Sequence, residues 1–307
     1  MSQYNKELSL ASELVKKASD ITEWFKKKGF NSFEKVDKSP VTLADFASQI
    51  YIISKLRENF PEDQLFAEES TNNIYQKSKQ IINDCYIDLN LSEIDNYQLN
   101  LNYRGPRSKR QWVIDPIDGT KGYVENLLYS IGIGFMVDSE PMVSAIAAPN
   151  YNKEGLAIFI AEKDQGAKVS YGSKDYITIN VGHQRVLKKA RICHSLHNVS
   201  QSTLKFAKMM GIKDKNRFKL DGMIKFCTIA DGTNDFFLHL NGSITHSWDY
   251  CPGDLLVREA KGKVTDIGGK RLKFKETRCI ITKPGIIAAN DMLHSEILGY
   301  YNKKLNE

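Results

Sequence analysis

The chain has 307 residues, with 43 Lys and Arg against 37 Asp and Glu, 41% hydrophobic residues and 26% charged ones. That length and apolar content suit one large domain or two packed ones, and they exclude disordered, collagen-like and low-complexity classes, since the 20 glycines and 8 prolines follow no repeat. The formal charge of +6 is scattered and never interleaves basic with aromatic residues, so no nucleic-acid partner is expected; a mild positive field still favours a small polyanion.

No run of about 18 apolar residues occurs, so no membrane span is expected. The opening MSQYNKELSLASELVKK lacks the basic and apolar segments of a secretory signal. The 5 cysteines are widely spaced and form no CxxC pair, which argues against a disulfide framework or a zinc knuckle and for a reduced, cytoplasmic protein.

In chain order, residues 5–28 carry apolar side chains at helical spacing, from Leu8 to Phe25, and Gly29 ends that helix. Thr42 is placed to cap a second helix over 43–59, which Pro61 ends. Residues 64–67 then form a short strand that delivers Glu68 and Glu69. The stretch 71–110 alternates helix-like and loop-like segments. Strands are expected over 112–114, 128–137, 142–148 and 156–161, with a hairpin around 138–141. The second half changes pattern: strand 190–193, helix 201–210 ended by Gly211, strand 236–240, and helix 252–261 closed by Gly262. An α+β part of 1–170 is therefore followed by an α/β part of 171–307, the transition falling within about 165–185.

The chemistry concentrates in WVIDPIDGTKGY, residues 112–123. A buried strand ends there, and Asp115 and Asp118 emerge three residues apart with the Ile117 carbonyl between them. Oxygen donors in such a group suit a hard cation such as Mg²⁺ better than zinc or copper. Gly119, Thr120 and Lys121 follow, and their N–H groups could cradle a phosphate if a helix begins at that point. Three further acidic places are Glu68-Glu69, Asp45 near the start of the second helix, and Asp249 in Ser247-Trp248-Asp249-Tyr250. Each alone also reads as an ordinary turn, first-turn or capping acid. Brought together they would repel one another without cations, and a metal-dependent phosphate reaction is the natural use of such a cluster.

Four segments in this order, SPVTLADFASQ, FPEDQLFAEES, WVIDPIDGTKGY and WDYCPGDLLVREAKGKVTD, resemble the lithium-sensitive, Mg²⁺-dependent phosphatase superfamily of inositol monophosphatase and fructose-1,6-bisphosphatase. Within it the Thr-Lys-Gly-aromatic continuation most resembles the 3′(2′),5′-bisphosphate nucleotidases. The resemblance implies a layered αβαβα sandwich. It implies hydrolysis of the 3′-phosphate of adenosine 3′,5′-bisphosphate to AMP by in-line attack of water, with no phospho-enzyme, and lithium inhibition. By motif match, Glu68, Glu69, Asp115, the Ile117 carbonyl, Asp118 and Asp249 hold two or three Mg²⁺ ions, while Asp45 and Thr120 orient and deprotonate the water. Gly119, Thr120, His194, Ser195, Lys225 and Asp249 approach the substrate. The chain departs from the family where a substrate-holding Ser is Gly222, an Arg is His239, and Ala-Ala after the WD pair is Cys251-Pro252, with Pro252 expected in a first helical turn. Those departures leave open an inositol phosphate phosphatase with the same metals. A weakly catalytic nucleotide sensor is the reading of another class, opposed by the complete acidic set. A monomer acting on a small-molecule bisphosphate is expected.

Overall fold

The computed structural model describes residues 3–29, 32–34, 40–70, 76–92, 94–172, 174–197, 200–240 and 246–305. Among them, a seven-stranded sheet runs in the order Gln64–Ala67, Arg110–Asp118, Ser130–Val137, Glu140–Asn152, Gly155–Glu162, Gly166–Tyr171, Ile177–Ile179. Its first pair is parallel and the rest antiparallel. A five-stranded sheet runs Arg217–Lys219, Ile192–His194, Phe236–Leu240, Gly285–Ala289, Lys263–Asp266, parallel across its first two pairings and antiparallel across the others.

Three separate apolar clusters define the layers. Ala11, Leu14 and Ile21 of helix Asn5–Lys28 and Ala47, Ile50 and Ile53 of helix Leu43–Asn59 pack on one face of the large sheet, against Trp112, Ile114 and Phe135. The opposite face, with Val113, Ile146 and Phe159, packs on helices Ile224–Ala230 and Ser247–Glu259; these in turn cover Phe237, Val264 and Ala288 of the small sheet. The outer face of that sheet, with Ile192, Phe236, Leu238 and Ile287, is closed by helices Gln201–Met209 and Asp291–Leu305. Successive strand residues point to opposite faces, which is why Trp112 and Val113, or Phe236 and Phe237, enter different cores. The order α, β, α, β, α is the layered sandwich that the family resemblance implies. No helix among the described residues is long and apolar enough to cross a membrane.

Local signals account for the first half. Thr42 accepts the N–H groups of Ala44 and Asp45 and opens the second helix where expected. Asp138 and Ser139, both with positive φ, form the two-residue turn between Val137 and Glu140, the primed geometry that matches strand twist. The second half departs more. Strand 190–193 is Ile192–His194, and the helix expected over 252–261 starts earlier, at Ser247. Pro252 therefore lies inside that helix and not in its first turn; the early start is set by Asp249, whose carboxylate accepts the His246 N–H at 3.3 Å. Helices Gln76–Asp88 and Tyr97–Asn102 occupy the stretch 71–110, whose residues 71–75 and 93 lie outside the described set.

The middle helical layer depends on close approach. A Cβ at Gly253 would stand 2.4 Å from two ring atoms of Phe226, which is 1% exposed and has nowhere to move. Gly253→Ala should therefore lose about 1–3 kcal/mol to overpacking, more than the roughly 1 kcal/mol its helix propensity gains. Gly299, in helix Asp291–Leu305, has open space around it, and Gly299→Ala should stabilise by about 0.5–1 kcal/mol. Urea unfolding midpoints of the two variants should move in opposite directions; a shared direction would refute the contact argument.

Candidate active site and metal centre

The site begins with an irregularity in the strand Arg110–Asp118. Asp115 pairs with Gly132 and Asp118 with Ser130, so three steps on one strand face two on its partner. In a regular strand, residues three apart point to opposite faces; this one-residue bulge turns Asp115 and Asp118 to the same side. The sequence-level expectation that the two would face one point is met by that bulge. Asp249 arrives from the other half of the chain, in the first turn of helix Ser247–Glu259. Oxygens of Asp115, Asp118 and Asp249 all lie within 4.8 Å of one another.

Glu68 reaches the cluster because its strand runs parallel beside Val113 and Ile114, with the Glu68 N–H donated to the Ile114 carbonyl at 3.2 Å. Its carboxylate lies close enough to act electrostatically on Asp115, Asp118 and Asp249. Glu69 is buried, and its backbone is gripped at both ends by the Gln49 side chain, at 2.9 Å to the N–H and 2.7 Å to the carbonyl.

Asp45 is fully buried. Its Oδ2 accepts both the N–H and the hydroxyl of Thr42 at 2.7 Å, and its Oδ1 stands 3.5 Å from Thr120 Oγ1. Thr120 opens a short helix, Thr120–Val124, behind Gly119, and donates its hydroxyl to the Ile117 carbonyl at 3.0 Å. The expected pair of Asp45 and Thr120 is thus brought together at the edge of the carboxylate cluster.

Electrostatics mark this as a high-energy group. Burial, then the charges of Glu68, Asp118 and Asp249, raise Asp115 well above the usual carboxylate range. Burial likewise raises Asp118 to about 7, with Lys225 opposing and Glu68 adding. Asp249 is raised well above its ordinary value by burial, Asp118 and Glu68. An all-oxygen donor set that holds protons when alone is one that a hard divalent cation fits, exchanging protons for metal.

The expected substrate-side residues fall into two groups. Lys225, on helix Ile224–Ala230, lies near enough to Asp118 and Asp249 to act on both, with its ammonium 5.5 Å from the centre of the Phe237 ring. His194 and Ser195 are buried after strand Ile192–His194; the imidazole Nδ1 is 3.0 Å from the Ser195 carbonyl, and the Ser195 hydroxyl donates to Asp221 at 3.0 Å. Gly222 has φ +59, and a Cβ there would meet the Asp118 carbonyl oxygen at 2.7 Å, so no side chain fits. His239 is half-buried in strand Phe236–Leu240. Sequence reasoning gave no role to Gln49, Asp221 or Glu125, whose side chains make hydrogen bonds around the site.

Comparison with known proteins agrees with this arrangement. The family model described as "Inositol monophosphatase family" matches residues 4–305. A protein of Emericella nidulans named 3′(2′),5′-bisphosphate nucleotidase is 28% identical, covering 98% of this chain and 99% of its own. One of the same name from Schizosaccharomyces pombe is 29% identical over 96% of this chain and 94% of its own. Among solved structures, an IMPase of Thermotoga maritima superposes with a TM-score of 0.71 at 22% identity, covering 98% of each chain. With sandwich, carboxylate cluster and near full-length match in agreement, the chain belongs to the inositol monophosphatase family.

Proposed function

We propose that this phosphatase removes the 3′-phosphate from adenosine 3′,5′-bisphosphate, giving AMP and phosphate, and acts likewise on the sulfated relative of that nucleotide. The observation that carries the reading is the convergence of Asp115, Asp118 and Asp249 beside the Thr120–Asp45 pair. The nucleotide preference is supported by the names of the near full-length relatives.

In this reading Glu68, Asp115, the Ile117 carbonyl, Asp118 and Asp249 hold Mg²⁺, and Glu69 holds a further ion or its water. The bound cations lower the pKa of water and stabilise charge on the phosphoryl oxygens. Thr120, its hydroxyl turned from the Ile117 carbonyl to Asp45, takes a proton from the attacking water at Oγ1 and passes its own to Asp45 Oδ1. Thr42 occupies the other Asp45 oxygen with two donors, and so keeps Oδ1 turned to Thr120. Gly119 and Thr120 present backbone N–H groups to the reacting phosphate. Lys225, with His194 and Ser195 behind it, faces the distal phosphate as a point charge, and Asp249 lies beside the ribose. The parts 1–170 and 171–307 act as two domains with the site between them.

A second reading, an inositol phosphate phosphatase, is favoured by one observation: Gly222 cannot carry the substrate-holding hydroxyl of the nucleotidase pattern, since any side chain meets Asp118. Phosphate release from adenosine 3′,5′-bisphosphate and from inositol 1,4-bisphosphate, with Mg²⁺ and with or without millimolar Li⁺, decides between them. Release from the nucleotide that needs Mg²⁺ and falls with Li⁺ is expected. Release from the inositol alone would reassign the substrate, and release from neither would leave a binding protein.

A further inference from the structure

Beyond the carboxylate cluster, one imidazole sits between two carboxylates. His197 follows strand Ile192–His194; its Nδ1 is hydrogen-bonded to Asp221 Oδ2, and its Nε2 lies 3.0 Å from Glu125 Oε2. An ionised carboxylate only accepts, and a neutral imidazole has a single N–H. Both contacts together therefore need the imidazolium form, with each nitrogen donating.

The two carboxylates sit at opposite ends of the catalytic turn. Asp221 Oδ1 accepts the Ser195 hydroxyl at 3.0 Å, the Leu196 N–H at 2.8 Å and the His197 N–H at 3.3 Å, which fixes the loop 195–197. Its backbone lies directly behind the metal-binding turn: a Cβ on Gly119 would be 3.5 Å from Asp221 Cβ, and one on Gly222 would strike Asp118. Glu125 ends the five-residue helix Thr120–Val124, its N–H donated to the Lys121 carbonyl at 3.0 Å. One side chain from the second half of the chain thus links the far end of the segment 118–125 to Asp221, whose backbone packs behind its near end.

Resting on the reading of the site given above, we propose that His197 is a positioning residue: as imidazolium it clasps the turn bearing Asp118 and Thr120 against the loop 195–197, and it lets go of Glu125 when it loses its proton. The charged groups facing it are Asp221 and Glu125. Lys225 acts on Asp221, and both act on Asp118. Burial works to lower the imidazole pKa, but the hydrogen bonds to Asp221 and Glu125 outweigh it and leave it raised. Glu125 is 57% exposed, so its half of the clasp is the weaker one and modulates turnover without abolishing it.

The test pairs imidazole ¹⁵N NMR with the pH profile of Mg²⁺-dependent phosphate release, in the parent, Glu125→Gln and Glu125→Ala. In the parent at pH 7, both His197 nitrogens should carry protons, and kcat should fall at alkaline pH along the His197 titration. A Gln amide can donate to a neutral ring, so Glu125→Gln should lower the titration midpoint, flatten that limb and keep kcat near the parent's at neutral pH. Glu125→Ala should lower kcat about threefold to tenfold with KM within about twofold. A neutral ring in the parent at pH 7, or an alkaline limb that Glu125→Gln leaves in place, would overturn the proposal. A parent that hydrolyses neither the nucleotide nor the inositol phosphate would overturn the functional reading, and the positioning role with it. That failure shows before any variant is compared.

Discussion

Replacing Asp118 by Asn is expected to cut phosphate release by at least about a thousandfold, equivalent to about 4 kcal/mol of transition-state stabilisation, while making the metal-free protein more stable than its parent. Both effects have one cause. Asp118 contributes an oxygen to a cluster in which Asp115 and Asp249 lie within 4.8 Å. Burial and like charge there raise all three carboxyl groups. An amide of the same shape removes one negative charge from a set that repels itself, which stabilises the fold. It also removes a ligand that a hard cation needs, which destroys the site. Steady-state rates in Mg²⁺ and melting temperatures in EDTA should separate the two. An Asn variant keeping a tenth of the parental rate would take Asp118 out of the chemistry. One that melts lower than its parent in EDTA would refute the repulsion argument.

The second large effect is an inverted dependence of stability on pH. A carboxyl group whose folded-state pKa lies above its unfolded value of 3.8 binds more protons when folded, so stability falls as pH rises through that interval. Asp118 is raised to about 7, and Asp115 and Asp249 are raised well above the usual carboxylate range, so each should cost the metal-free protein about 1.4 kcal/mol per pH unit while it stays protonated. His294 works the other way. Burial lowers it to about 4, so it opposes folding as pH falls below the ordinary imidazole value. The clean window therefore opens about one pH unit above the ordinary imidazole value, where His294 is neutral in both states. Across it the Tm of the EDTA-treated protein should fall as pH rises. His197, raised by its partners, loses stability in the same direction but should not respond to metal. Saturating Mg²⁺ should abolish most of the slope and release protons on binding. Scanning calorimetry with and without Mg²⁺ at four pH values checks this. Parallel Tm curves would show that no cation enters the carboxylate cluster.

Much of the first half was legible because its signals are local. Thr42 caps the second helix and Gly29 closes the first, as their positions in the sequence suggest. Asp138 and Ser139 turn the hairpin at the expected place. The C-terminal strands Lys263–Asp266, Lys273–Lys275, Arg278–Ile280 and Gly285–Ala289 went unread, as did helices Ile224–Ala230 and Asp291–Leu305. Strands of three to five residues carry too little periodicity to stand out, and they exist because neighbouring strands and helices pair with them. The early start of helix Ser247–Glu259 depends on a carboxylate reaching back to His246, and the Pro within it hid that start.

For the site, the sequence by itself determined the donor chemistry: carboxylates and a carbonyl in DPIDGT, a second acidic pair after a strand, and Asp249 far downstream, all oxygen and so matched to a hard cation. Only the tertiary structure decided how they meet. The bulge between Asp115 and Asp118 is a matter of register with the strand alongside, the entry of Asp249 follows from packing the middle helical layer on the large sheet, and the bridge from Asp221 through His197 to Glu125 joins three loops distant in sequence. Local sequence encodes caps, turns and ligand types because those depend on neighbouring residues. Convergence depends on which buried surfaces pack together, and that free energy belongs to the whole chain.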